Sequence, residues 1–153
     1  MVRQTLVAAF SAAVLLGLPA GASAQEPAAA AAQQPDQYVF THDSLMMGFT
    51  IAETGTAEFE AFVAKVKETL LKSSKPERKQ QAESWKLLKV ETPPQGGNVT
   101  YLLVLEKVVK GASYDMFKIL SEEVPPAEVQ EIYKKVAPVI KGGISFTPIK
   151  IAG

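Results

Sequence analysis

The stretch from Val99 to Leu105 constrains the fold more than any other part of this chain. Apolar side chains occupy both of its alternating sets, namely Val99, Tyr101, Leu103 and Leu105 in one set and Leu102 and Val104 in the other. A strand with one face in water alternates apolar and polar residues, whereas a strand covered on both faces does not. We therefore predict a β-strand here that is buried on both faces.

The patterns on either side of this strand predict three more strands and two main helices. Runs of apolar, partly β-branched residues predict strands at about 45–52, 85–90 and 144–151. Apolar residues recur every three or four positions from Phe59 to Leu70 and again from Val129 to Ile140. That spacing is typical of a helix with one buried face and one solvated face.

Several residues predict where these elements begin and end. The segment Thr54-Gly55-Thr56 offers a hydroxyl to cap the first main helix, and Ser113 offers one to a short helix that carries Tyr114. Pro138 should bend or fray the last turn of the second main helix. Pro148 lies within the final strand, which suits an edge position or a bulge better than a central position because proline cannot donate a ladder hydrogen bond.

Read in order, the elements form the β-α-β-β-α-β pattern of ferredoxin-like domains. The prediction is an α+β fold with a four-stranded antiparallel sheet and two main helices on one face. A cluster of proline and glycine between 93 and 97 makes the second and third strands an antiparallel hairpin. Since right-handed crossovers place both helices on the same side, the second sheet face needs a separate cover.

The N-terminus has the order of charge and hydropathy that marks a secretory signal peptide. Arg3 is the one basic residue before an apolar run at 6–18, and glycine and proline interrupt that run before the roughly 20 apolar residues that span a bilayer. Small residues follow, so we predict that 1–24 is cleaved between Ala24 and Gln25. The protein would then be secreted or periplasmic, with no membrane segment after cleavage. An uncleaved N-terminal anchor is the alternative.

The rest of the chain divides into a tether and one domain. Residues 25–37 contain no large apolar side chain, which predicts a disordered linker, and 38–153 forms the α+β domain. The chain has no cysteine, so neither a disulfide nor a thioether-linked lipid is available and stability rests on a hydrophobic core. Without Arg3 the charges are 15 basic against 16 acidic residues, which lacks the basic face that nucleic acid binding requires.

On these features the chain resembles the dimeric α+β barrel superfamily, which includes antibiotic-biosynthesis monooxygenase-like proteins. The resemblance rests on Gly55-Thr56-Ala57-Glu58-Phe59 at the start of the first helix, on Trp85 at the start of the second strand, and on the element order across about 38–151. It implies a homodimer in which two sheets pack face to face, with a pocket between each sheet and its own helices. Members that degrade haem or oxidise polyketides use His, Asn, Trp or Arg positions, none of which maps onto this chain apart from Trp85.

Few residues of this chain suggest a catalytic, metal-binding or ligand-binding role. His42 is the only histidine, so a metal site would need carboxylate partners that its neighbourhood does not supply, and no metal, cofactor or catalytic residue is predicted. Pro76 could open a short helical turn, while Glu77-Arg78-Lys79 is interpreted as a solvated face. The candidate ligand-binding residues are His42, Met46, Trp85, Tyr101, Tyr114 and Phe117. Core packing is the favoured explanation of the four aromatic residues among them, and Met46 could also simply fill the core.

Two functions remain open from the sequence. The first is an exported, non-catalytic homodimer that binds a small apolar ligand or a protein partner between sheet and helices. The second is a cofactor-free monooxygenase-like or isomerase-like enzyme on the same scaffold. A closed pocket holding two or more polar groups from among His42, Lys89, Tyr101 and Tyr114 would favour the enzyme, and a filled core would count against it.

Overall fold

The computed structural model describes residues 36–91 and 96–152. The predicted signal peptide and all but the last two residues of the predicted linker lie outside this range. The elements are β1 (Leu45–Ala52), a 3-10 turn (Glu53–Gly55), α1 (Thr56–Lys72), α2 (Pro76–Glu83), β2 (Trp85–Lys89), β3 (Asn98–Leu105), α3 (Met116–Glu123), α4 (Pro126–Val136) and β4 (Ser145–Pro148). Among the described residues, no helix has the length and hydropathy needed to cross a membrane.

The four strands form one antiparallel sheet in the order β2-β3-β1-β4. The central pair is the longest, with β1 and β3 in register from Leu45 opposite Leu105 to Ala52 opposite Asn98. The short strand β4 lies at an edge and ends at Pro148, which cannot extend the ladder because it has no N–H. The predicted α+β class and β-α-β-β-α-β order are confirmed.

The start of α1 differs from the prediction. Gly55 occupies the N-cap position and no side chain caps the helix, so neither threonine hydroxyl of the 54–56 segment has that role. The helix still forms because it buries an apolar stripe against the sheet, and the five large members of that stripe are at most 4% exposed: Phe59, Phe62, Val63, Val66 and Leu70. Burial of a stripe this long outweighs the roughly 1 kcal/mol that a capping hydroxyl contributes.

The shorter helices also differ in detail. The turn predicted at Pro76 is a full helix of eight residues, with proline in the first turn where its missing N–H costs nothing. The cap of α3 is Asp115 and not Ser113, because the Asp115 carboxylate accepts hydrogen bonds from the N–H groups of Phe117 and Lys118 at 3.0 and 3.1 Å. Tyr114 therefore precedes the helix. A carboxylate at this position also satisfies the helix dipole.

The core lies between one face of the sheet and the helices. Alternate residues of the two central strands supply its floor, and all are at most 8% exposed: Leu45, Met47, Phe49, Ile51, Val99, Tyr101, Leu103 and Leu105. On the opposite face Leu102 and Val104 are only partly buried, and Leu88 is 49% exposed. The prediction that β3 is buried on both faces is thus wrong for the single chain, since every described helix packs on the same side.

Candidate functional site

A groove of about 770 Å³ runs between α1 and α4 on the helical side of the molecule. Its floor and walls are mostly apolar, and its rim is charged. The lining residues are Thr54, Ala57, Glu58, Ala61, Phe62 and Lys65 from the α1 side and Glu128, Ile132, Lys135, Val136 and Val139 from the α4 side.

The groove exists because small side chains separate the two helices. Ala57 and Ala61 are one turn apart on α1 and leave space that larger residues would fill. Below them lie Phe62 and Val136, which are 4% and 2% exposed and form a closed apolar floor. The opening is therefore a surface feature above a packed core, and the core itself does not need a ligand.

The segment that follows α4 closes one end of the groove. The Ala52 N–H donates to the Val139 carbonyl at 2.8 Å, and the Lys141 N–H donates to the Thr50 carbonyl at 2.7 Å. Gly55 permits this approach, because a Cβ atom there would lie 2.2 Å from Val139 Cγ1. These contacts fasten the end of α4 to β1 and fix the width of the groove at this end.

The rim carries two positive and two negative side chains. Lys65 pairs with Glu128 across the groove at 3.2 Å. Glu58 and Lys135 form no ion pair with the described residues. The rim is therefore balanced in charge, and the floor presents no polar side chain that could orient a reacting group. Such a surface can hold an uncharged apolar molecule.

The predicted aromatic candidates lie in the core and not in the groove. Tyr101 and Tyr114 are at most 1% exposed, and Trp85 is 3% exposed with an indole N–H that has no hydrogen-bond partner among the described residues. The Tyr114 hydroxyl accepts from the Val109 N–H at 2.8 Å, and burial raises the pKa of that phenol. The space between the sheet and the helices is thus filled by side chains.

The Tyr101 side chain has two charged neighbours. Its hydroxyl donates to the Glu60 carboxylate, and the Lys89 ammonium lies 5.7 Å from the centre of its ring. Burial and then the neighbouring carboxylate raise the pKa of Tyr101 to about 12. A phenol held protonated in this way is a poor base at neutral pH.

The remaining three candidates also lie outside the groove. His42 is exposed on the loop before β1, and Met46 is partly buried on the open face of the sheet. Phe117 stacks on Phe62 with ring centres 4.9 Å apart, so it supports the groove from beneath without lining it. None of the six candidates lines the groove.

A buried polar cluster joins α2, α3 and the loop between β3 and α3. Arg78 is 6% exposed, and its guanidinium donates to Gln81 Oε1 at 2.7 Å, to the Ser113 carbonyl at 2.7 Å and to both carboxylate oxygens of Glu122. The interpretation of Glu77-Arg78-Lys79 as a solvated face is wrong for its central residue. Hydrogen bonds from Arg78 lower the pKa of Glu122, and those from Lys75 add to the effect.

No group of three or more His, Asp or Glu side chains in the described part of the chain could hold a metal ion. No protein-family model and no curated protein matches this sequence.

The chain resembles SnoaB in fold. SnoaB is a cofactor-independent oxygenase from Streptomyces nogalater, and two of its crystal structures match this chain with a TM-score of 0.39 each. A single-substitution variant shares 11% identity over 72% of this chain and 96% of SnoaB, and the other structure shares 8% over 73% and 97%. At this identity and TM-score the likeness carries no argument about activity.

Sequence patterns missed the residues that line the groove. The apolar stripe of α1 was visible, but Ala57 and Ala61 beside it do not by themselves indicate a gap. The groove forms because these two small residues face Ile132 and Val136 on α4, about 70 positions later in the chain. That pairing is set by how the two helices pack, which periodicity does not report.

Proposed function

We propose that this protein is a non-catalytic binding domain that holds a small, uncharged apolar ligand in the groove between α1 and α4. The observation that carries the proposal is the apolar floor formed by Phe62, Ile132 and Val136 beneath a rim of balanced charge. A groove of about 770 Å³ lies within the range of about 300–1,000 Å³ for small-molecule sites. A protein partner would need a contact surface of at least about 1,000 Å², which is larger than the lining of this groove.

The placement of polar groups supports binding over catalysis. An enzyme of the alternative type needs several polar side chains that converge on one cavity. Among the four groups that could serve, only Tyr101 and Lys89 lie together, while His42 is exposed elsewhere and Tyr114 is enclosed in the core. Neither Tyr101 nor Lys89 lines the groove between α1 and α4, so the groove gives the monooxygenase-like or isomerase-like alternative no support from this pair.

The open face of the sheet supports a homodimer as the working form. Register places Leu88 beside Leu102 and Leu102 beside Gly48, while Val104 lies beside Met46 on the same face. These side chains form an apolar band on three strands, bordered by Lys86, which lies opposite Val104. Such a band is costly to leave in water. A second copy of the same chain would cover it with the same band.

Export completes the proposal. The signal peptide expected at 1–24 would deliver the protein to the periplasm or the medium. There the protein would carry apolar ligands through an aqueous compartment. The balanced charge of the chain suits this role, since it favours neither nucleic acid nor an anionic lipid surface.

Fluorescence titration with N-phenyl-1-naphthylamine, an uncharged apolar probe, tests the groove. We expect the wild-type protein to bind the probe, and Ala61→Trp to weaken binding by at least about tenfold, because the indole fills the space above Phe62. Ala64→Trp is the matched control, since Ala64 is exposed on the same helix and does not line the groove.

The two variants separate the possible results. Unchanged binding in Ala61→Trp would place the probe elsewhere and contradict the proposed site. Equal loss in both variants would point to a general effect of tryptophan on α1. Turnover of added polyketide-like phenols with oxygen in steady-state assays would restore the enzyme hypothesis.

A further inference from the structure

The two helices that wall the groove run in opposite directions, and two contacts fix their alignment. At the closed end Gly55 lies against Val139, and towards the other end Lys65 pairs with Glu128 at 3.2 Å. The chain moves away from the closed end along α1 and returns towards it along α4. Each level of α1 between these two contacts therefore faces a known level of α4.

This alignment places Glu58 and Lys135 on opposite walls at the same level of the groove. Glu58 precedes Lys65 by seven positions, and Lys135 follows Glu128 by seven positions. Seven residues make about two turns, or about 10 Å, of a helix, so both walls return to the face that lines the groove. The groove thus has two levels of opposite charge, and the wall that carries the acid changes from one level to the next.

Only one of these two levels is closed. The level farther from the closed end is bridged by its ion pair, whereas neither Glu58 nor Lys135 has an ion-pair partner in the described part of the chain. Glu131 lies one turn before Lys135 on α4 but already pairs with Lys134 at 2.7 Å. A ligand in the groove therefore meets Glu58 and Lys135 without displacing an existing partner.

These two side chains together match a neutral polar group. The Glu58 carboxylate only accepts hydrogen bonds, and the Lys135 ammonium only donates them. A ligand carboxylate at this level would be repelled by Glu58, and a ligand ammonium would be repelled by Lys135. A carboxamide is attracted by both walls, because its oxygen accepts and its nitrogen donates, and these two separate atoms reach across a wider gap than one hydroxyl does. A zwitterion matches both charges but loses far more hydration above the apolar floor.

We propose that the level between Glu58 and Lys135 is a polar subsite of the groove, and that the ligand is an apolar molecule with one neutral carboxamide group. This rests on the proposed function of the groove. The apolar part of the ligand lies over Phe62 and Ile132, and the carboxamide places its oxygen towards Lys135 and its N–H towards Glu58.

Displacement of N-phenyl-1-naphthylamine by three naphthalene compounds at low salt tests the charges of the subsite. The compounds are neutral 1-naphthaleneacetamide, negative 1-naphthaleneacetate and positive 2-(1-naphthyl)ethylammonium. The wild-type protein should bind the amide most tightly. In Glu58→Gln the acetate should gain about fivefold in affinity relative to the amide, because the repelling carboxylate is gone. In Lys135→Gln the ammonium compound should gain by a similar factor.

Methyl 1-naphthaleneacetate tests the amide itself, because this ester keeps the carbonyl oxygen but has no N–H to donate. The wild-type protein should prefer the amide to the ester. Glu58→Met removes the acceptor, so the ratio of amide affinity to ester affinity should fall by about fivefold.

Glu68→Gln and Lys134→Gln are the matched controls, since each removes the same charge from the same helix and neither residue lines the groove. Both should keep the wild-type ratios. Wild-type ratios in Glu58→Gln and Lys135→Gln would overturn the subsite and leave the binding groove standing. A wild-type ratio of amide to ester in Glu58→Met would overturn the carboxamide ligand. Failure of the wild-type protein to bind the probe would overturn both proposals.

Discussion

At the scale of single residues, Arg78 shows how one buried charge joins separate parts of this fold. Its donors reach Glu122 on α3, Gln81 on α2 and the Ser113 carbonyl in the preceding loop. A planar guanidinium can satisfy partners in several directions at once, which a lysine ammonium on a flexible stem does less well. The cluster therefore orients α2 and α3 relative to each other.

Replacing Arg78 with methionine should lower the free energy of unfolding by about 2–4 kcal/mol, because Glu122, Gln81 and the Ser113 carbonyl each lose a donor in a partly closed site. Urea denaturation measures this loss. Lys79→Met, at the exposed neighbouring position, should stay within about 0.5 kcal/mol of wild type. Equal stability of the two variants would show that the cluster adds nothing.

The same substitution should change how stability depends on pH. Because the pKa of Glu122 is lowered from its ordinary 4.5 in the folded state, its contribution is present above that value and is lost as the pH falls through the folded pKa. Wild-type stability should thus decline below about pH 4.5. Arg78→Met should reduce this slope, and an unaltered slope would assign the acid sensitivity to other carboxyl groups such as Asp36.

At the scale of elements, the 3-10 turn before α1 packs directly against the segment after α4. Ile140 forms an isolated bridge with Ile51, and Gly55 lies directly against Val139. The φ angle of Gly55 is −115°, so space and not backbone conformation requires the glycine. These contacts attach the last turn of α4 to the sheet and shape one end of the groove.

Gly55→Ala should destabilise the protein by about 1–3 kcal/mol, because its Cβ would overlap the Val139 side chain and one element must move. The added Cβ would also lie 2.3 Å from the Val139 Cβ, so combining the change with Val139→Gly, which removes that atom, should restore part of the loss, as expected for two residues in contact. Urea unfolding curves of the two single variants and the double variant give this coupling.

Gly143→Ala provides the comparison, because nothing lies within 4 Å of a Cβ at that position. Its stability should equal or slightly exceed that of the wild type, since alanine reduces the freedom of the unfolded chain. If Gly55→Ala behaves in the same way, the segment after α4 is free to shift and does not fix the groove.

At the scale of the whole molecule, the sheet has two unequal faces. One is filled by the helices, and the other carries the band formed by Met46, Leu88, Leu102 and Val104. Lys86 and Glu106 form an ion pair beside this band. The asymmetry leads us to expect a homodimer of the mature, exported chain.

Native mass spectrometry of protein from the export compartment should give a dimer of chains that begin at Gln25. Leu102→Lys should convert it to a monomer at micromolar concentration, because two like charges would face each other in the interface. Leu71→Lys, on the exposed outer side of α1 at 51% exposure, should remain a dimer. Circular dichroism checks that both variants keep their secondary structure.

A wild-type monomer at micromolar concentration would contradict the dimer itself. A dimer that survives Leu102→Lys would locate the interface on another surface. A mass that includes residues 1–24 would contradict cleavage after Ala24 and leave the uncleaved anchor as the explanation of the N-terminal pattern.

The sequence alone determined the order and type of the elements, because these depend on local periodicity. The predicted first strand, 45–52, has the bounds that the structure has, and the stripe from Phe59 to Leu70 lies on the buried face of α1. An alternation of two or a recurrence of three to four residues can be read without knowing any distant contact. The edge position of the final strand could likewise be predicted from Pro148, because a proline has no N–H to donate to a neighbouring strand.

Only the tertiary structure decided which polar residues are buried and where space remains. Arg78 lies within a charged run, yet its partners Ser113 and Glu122 are 35 and 44 residues away. Asp115 replaced Ser113 as a cap, and the Ser113 hydroxyl donates to Asp36 instead. The groove depends on Ala57 and Ala61 of α1, which face α4 from a distant part of the sequence. Each outcome is set by long-range packing, in which neighbours distant in sequence compete for the same volume and the same hydrogen bonds.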